Sequence, residues 1–74
     1  MDRLTAVFRD VFEDPNLNID GLTRSNYPEW DSLAQVKLII SIEEEFNIKL
    51  TIDQVANVSS VDQLRSLLAE KAAA

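Results

Sequence analysis

Residues 31–46 read Asp-Ser-Leu-Ala-Gln-Val-Lys-Leu-Ile-Ile-Ser-Ile-Glu-Glu-Glu-Phe, and this stretch decides the fold. Leu38, Ile39, Ile42 and Phe46 fall at spacings of three and four, which draws one apolar stripe down a helix. Asp31 and Ser32 stand where an N-cap is needed, and either side chain can accept a hydrogen bond from a first-turn amide. The stretch therefore predicts a helix that starts at Asp31 or Ser32 and stops before Asn47. A second face, Leu33, Lys37, Ile40 and Glu44, repeats at the same spacings. Together with Val36 it has two competing uses: packing against the preceding loop and a third helix, or docking a partner. Glu43, Glu44 and Glu45 are open in the same way, as a solvated helix end or as a recognition patch. Three acids near a helix C-terminus oppose the dipole at a cost of a few tenths to about 1 kcal/mol each, which points to a use beyond stability.

Upstream, Leu4, Val7, Phe8, Val11 and Phe12 form the stripe of a first amphipathic helix. Its end is expected near Asp14, because Pro15 disfavours helical geometry in the residue before it. Residues 15–31 then make a long connection in which Leu17, Ile19, Leu22, Tyr27 and Trp30 are set among polar residues, so the loop should fold back onto the helices. Downstream, Thr51 and Gln54 have capping-box spacing for a short element at 52–56, where the β-branched residues make a strand the competing reading. Ser60 and Gln63 repeat that spacing ahead of Val61, Leu64, Leu67 and Leu68, a fourth helix. The alanines at 72–74 are expected to fray. The resulting fold class is all-α: one domain over residues 1–74, a small four-helix bundle of three main helices and a short third, with a long loop between helices 1 and 2.

Composition narrows the function. Seven basic and thirteen acidic side chains leave a net charge of −6, so a nucleic acid backbone would be repelled and a partner with a basic patch is favoured. There is no histidine and no cysteine, which removes the commonest general base, the thiol nucleophile, the disulfide and the usual metal ligands. No catalytic residue and no metal site is expected. No apolar run approaches the roughly 20 residues of a bilayer span, and the N-terminus lacks a signal-peptide pattern. A monomeric cytoplasmic protein is the expectation.

Asp31-Ser32-Leu33 places a small hydroxyl at the start of a helix just after a long loop. Unpaired backbone N–H groups and the positive end of the dipole favour an anion there, so a phosphodiester on Ser32 would be tolerated. A plain cap explains the tripeptide equally well. What separates the two is the setting, because nearly the whole chain resembles the acyl carrier protein family. The matching parts are the first helix, the long loop with apolar residues, Asp31-Ser32-Leu33, the run Leu38-Ile39-Ile40-Ser41-Ile42-Glu43-Glu44-Glu45-Phe46, then Ile48 and Leu50, a short third helix and a capped fourth.

That resemblance implies that Ser32 bears 4′-phosphopantetheine, attached covalently from coenzyme A by a phosphopantetheinyl transferase. The thiol of the arm would hold acyl intermediates as thioesters and deliver them to acyl-loading, acyl-processing or acyltransferase enzymes. It further implies docking on the helix after the serine, with Asp31, Leu33, Val36, Lys37, Ile40 and Glu44 as the partner-binding set. A tethered arm raises the local concentration of its cargo at each enzyme, and the cofactor's own thiol answers the absence of cysteine.

The chain departs from general fatty acid carriers, where the positions matching Ala34 and Lys37 are usually acidic. A dedicated lipid, polyketide or related pathway is therefore expected. Tyr27-Pro28-Glu29-Trp30 replaces the paired glycines typical of peptidyl synthetase carriers, while an aminoacyl or D-alanyl carrier stays open. The main rival is an acidic helical adaptor without a prosthetic group. An enzyme using Ser32 with Asp31 fails on geometry, since adjacent residues at a helix start point in different directions and no third orienting group follows.

Overall fold

Capping carboxylates start the two helices that carry half of the core. Asp2 accepts the Thr5 N–H at 2.8 Å and Asp31 accepts the Ala34 N–H at 2.9 Å, each satisfying an otherwise orphaned first-turn amide. The computed structural model describes residues 2–73, with the backbone alone at 72 and 73. In chain order the helices are α1 (Arg3–Val11), α2 (Ser32–Phe46), α3 (Ile52–Asn57) and α4 (Val61–Ala73). Among the described residues no strand forms; a single antiparallel bridge joins Thr23 to Ser60.

α1 stops earlier than the proline requires. Glu13 adopts a left-handed φ of 53°, its N–H reaches Asp10 O at 3.3 Å, and the Asp14 N–H reaches Arg9 O at 3.0 Å. This is the Schellman arrangement, so the end expected near Asp14 lies at Val11, closed by local capping before Pro15 has any effect. α2 ends in a related way, with Asn47 at φ 53° and the Ile48 N–H on Glu43 O at 3.1 Å. Asn tolerates that region better than most residues.

The core joins α1 (Leu4, Val7, Phe8), the loop (Leu17, Ile19, Trp30), α2 (Leu38, Ile39, Ile42) and the entry and first turn of α4 (Val58, Val61, Leu64). Burying a large apolar side chain contributes about 1.5–3 kcal/mol, so the loop is a structural part of the bundle. Trp30 is its largest fully buried side chain; its ring meets Phe8 edge-on at 5.3 Å between centroids. Phe12 meets Tyr27 likewise at 5.1 Å. Tyr27 loses solvent there, and burial, with Glu29 and Asp14 nearby, pushes its phenol pKa upward. Phe46, expected in the buried stripe, is only half-covered. It lies at the end of α2, where the Arg3 guanidinium stands 4.8 Å from its ring centre in a cation–π contact.

Polar contacts hold the loop's path. Asn18 accepts the Asp20 N–H at 3.0 Å, Thr23 and Asn26 exchange side-chain-to-backbone bonds at 2.9 and 3.1 Å, and Arg9 Nε donates to Leu17 O at 2.9 Å. Gly21 sits at φ +69°, a turn conformation that suits glycine. The loop then pairs with the start of α4: Arg24 N–H donates to Ser59 O at 2.9 Å and Val61 N–H to Leu22 O at 3.0 Å. Across the bundle, Arg65 pairs with Asp2 at 2.9 Å. Hydrogen bonds from Thr5, then the Arg65 guanidinium, lower the Asp2 pKa to about 2.

The capping box of α3 is complete: the Gln54 N–H donates to Thr51 Oγ at 3.1 Å and the Thr51 N–H to Gln54 Oε1 at 2.9 Å. Helix therefore displaces the strand alternative at 52–56. At α4 the box is only half as expected. Ser60 Oγ accepts the Gln63 N–H at 3.1 Å, but Gln63 Oε1 takes the N–H and hydroxyl of Ser59 at 2.6 and 2.9 Å instead of the Ser60 N–H. The expected fraying over 72–74 falls at the edge of the described residues; α4 is helical through Ala73, and Ala74 lies outside them.

Candidate functional site at the start of α2

The two residues that sequence left as alternative caps divide the work. Asp31 is extended, with φ −96° and ψ −173°, and is the N-cap. Ser32 is the first helical residue, exposed, and its hydroxyl takes part in no hydrogen bond among the described residues, so the cap does not consume it. The N–H groups of Ser32 and Leu33 are likewise without an intrahelical partner, as the first turn of any helix requires.

The position of this hydroxyl is set from below. Trp30, two residues earlier, is sunk in the core, its N–H bonded to Tyr27 O at 3.0 Å and its carbonyl accepting from Arg24 Nε at 3.2 Å. Its indole N–H donates to Gln35 Oε1 at 2.6 Å. Gln35 Nε2 in turn donates to Val55 O at 3.0 Å and Val58 O at 3.3 Å. A buried amide costs little when donor and acceptor are both satisfied. Ser32 thus stands on rigid footing, with loop, α2 and α3 tied together one turn below it.

The residues expected to meet partners stay on the surface. Leu33 is 67% exposed, Val36 55% and Ile40 51%, so these residues are not packed away against the loop or α3. Lys37 and Glu44 are also exposed. The acidic run separates into different roles. Glu43 Oε2 accepts the Leu50 N–H at 2.9 Å, Glu45 pairs with Arg3 at 3.4 Å, and Glu44 forms no ion pair or hydrogen bond among the described residues. A groove of about 390 Å³ lined by Ile40, Glu43, Glu44, Asn47, Ile48 and Lys49 continues this face toward the end of α2.

Two residues of the site were missed in the sequence. Gln35 lies three, four and seven residues before Leu38, Ile39 and Ile42, in register with the buried stripe, and that register was the available signal. Ile52, 87% exposed, adds a further apolar side chain at the first position of α3; no periodicity marks it.

The site is suited to a covalent phosphodiester: an open hydroxyl, unpartnered first-turn amides and the positive end of a fifteen-residue helix. Among the described residues no cluster of His, Cys, Asp or Glu could hold a metal, and no helix is long and apolar enough to cross a membrane. The family model described as phosphopantetheine attachment site matches residues 2–68. No curated protein and no solved structure matches the chain. Carrier domains of this family are served by a phosphopantetheinyl transferase and by partner enzymes, and are typically not catalytic themselves. With that match running from the N-cap of α1 to the middle of α4, the chain belongs to the phosphopantetheine attachment-site family and is a carrier that takes 4′-phosphopantetheine as a covalent group.

Proposed function

We propose that Ser32 is the attachment residue, and that the chain carries acyl groups for a dedicated pathway. The observation that carries the assignment is the division between neighbours: Asp31 caps α2 through the Ala34 N–H at 2.9 Å, which leaves the exposed Ser32 hydroxyl available as acceptor of the group. A transferase needs only that hydroxyl from its substrate, since it can bring the base and the metal itself. The first-turn amides and helix dipole then favour the phosphodiester that forms. When bound, the prosthetic group supplies a thiol that holds the cargo as a thioester. The protein's own part is presentation, with Trp30 and Gln35 anchoring the helix start while Leu33, Val36, Lys37, Ile40 and Glu44, with Asp31 at the edge, offer a surface to partners. The chain is not an enzyme in this reading, and the chemistry belongs to the enzymes it visits.

Intact-mass spectrometry tests the assignment. Incubation with coenzyme A and a broad-specificity phosphopantetheinyl transferase is expected to add one phosphopantetheine mass to the wild type and none to Ser32→Ala. An unmodified wild type would return the chain to the adaptor reading, and a modified Ser32→Ala would move the site to another hydroxyl.

The dedicated pathway rests on Lys37 and Ala34. A lysine in the middle of the docking face opposes a basic partner patch, and Ala34 offers it no compensating acid.

A further inference from the structure

Helix α3 lacks the usual anchorage of a bundle helix. None of its six residues is buried, so apolar burial does less for it than for the other helices. Val55 is partly covered, and Val58, just beyond the helix, is buried. The polar link is Gln35, 5% exposed. Its one amide donates to the carbonyls of Val55 and Val58, which close the C-terminal end of α3, and accepts from the indole of Trp30, which leads directly into Asp31-Ser32. At its other end α3 begins with Ile52, 87% exposed. The same turns of α2 that hold Gln35 inward hold Leu33 and Val36 outward.

We propose that Gln35 is a positioning residue that locks α3, and with it Ile52, to the serine end of α2, so that partners meet a single preformed apolar surface spanning both helices. The proposal rests on the docking reading of that face. Orientation follows from the amide's bifunctional chemistry: an acceptor for the indole and two N–H donors for the carbonyls, which no apolar side chain of equal size can reproduce. Removing it leaves the indole N–H and the Val58 carbonyl without this partner, while the Val55 carbonyl keeps only the Val58 N–H at 3.3 Å.

Amide hydrogen exchange on the apo protein tests the lock, comparing wild type with Gln35→Met, which keeps the length of the side chain, and Trp30→Phe, which removes the indole donor. In Gln35→Met the amides of α3 and Val58 are expected to exchange on the order of tenfold faster relative to α1 in the same sample, the factor a hydrogen bond of ordinary net strength supplies. Trp30→Phe is expected to accelerate the same segment by a smaller factor. An unchanged α3-to-α1 ratio in both variants overturns the lock. A uniform rise over all four helices also overturns it, since that marks Gln35 as an ordinary core residue. With coenzyme A and a phosphopantetheinyl transferase, Gln35→Met is expected to raise KM for the carrier with little change in kcat; a lowered kcat at constant KM overturns the link to partner recognition. The exchange arm needs no prosthetic group, so a wild type that takes no phosphopantetheine sinks the Ser32 assignment without deciding the fate of the lock.

Discussion

At the scale of single residues, neighbouring side chains with similar hydrogen-bonding chemistry hold different posts. Asp31 and Ser32 are both good caps, and nothing in their order says which will serve. The backbone decides: Asp31 is extended, Ser32 is already helical, and only the extended residue can turn its oxygen onto the Ala34 amide. Gln35 was legible as a member of the buried stripe but not as a tie, because its three partners, Trp30, Val55 and Val58, lie up to 23 residues away in the chain. Lys37 carries the prediction that belongs here. Lys37→Glu restores the acidic position of general fatty acid carriers, and acylation by general fatty acid synthesis enzymes is expected to rise, read as kcat/KM for the carrier. No gain in turnover would count against a dedicated set of partners.

At the scale of elements, ends rather than middles account for the differences between expectation and structure. The apolar stripes placed α1, α2 and α4, since three- and four-residue spacing is a local property, while α3 rested on capping-box spacing with a strand as its rival. The ends depend on φ values and on what else claims a backbone group. Glu13, a residue with a Cβ at φ 53°, closes α1 two to three residues before the proline-based estimate. That conformation costs an L-residue about 1–2 kcal/mol, partly offset in glycine by its greater unfolded-state entropy. Glu13→Gly is therefore expected to stabilise the domain by up to about 1 kcal/mol, measured as a higher urea midpoint at constant slope; a lower midpoint would show that the Glu13 side chain outweighs the strain. At α4, the reciprocal half of the capping box moved to Ser59, whose carbonyl also accepts the Arg24 N–H at 2.9 Å, a contact between residues 35 apart that no local pattern contains.

At the scale of the whole molecule, charge and burial act against each other. Thirteen acids against seven bases repel one another across a small domain, while two ion pairs among the described residues, Arg3–Glu45 and Arg65–Asp2, are solvent-exposed and worth little in water. Screening should therefore help more by weakening repulsion than it harms by weakening the two pairs. The melting temperature of the apo protein is expected to rise from low to moderate salt and with added divalent cations. A melt that does not respond to ionic strength would show that repulsion is already balanced by contacts within the fold. The net charge of −6 would draw a basic partner toward the molecule at long range.

Local spacing along the chain was enough for the all-α class, for α1, α2 and α4 and for most of the apolar core, because periodicity and capping chemistry are read over a few residues; it left helix against strand open at 52–56 and did not mark Val58. It also marked Asp31-Ser32-Leu33 and a second face of Leu33, Val36, Lys37, Ile40 and Glu44, but left open whether that face packs inward or stays exposed. Only the tertiary structure decided that Asp31 rather than Ser32 caps α2, that Glu43 and Glu45 are engaged while Glu44 is left open, and that Trp30 and Gln35 tie the serine end of α2 to α3. The cap turns on the backbone angles at the end of the long loop, and the ties of Glu45 to Arg3 and of Gln35 to Trp30, Val55 and Val58 turn on atoms that packing, not spacing along the chain, brings together.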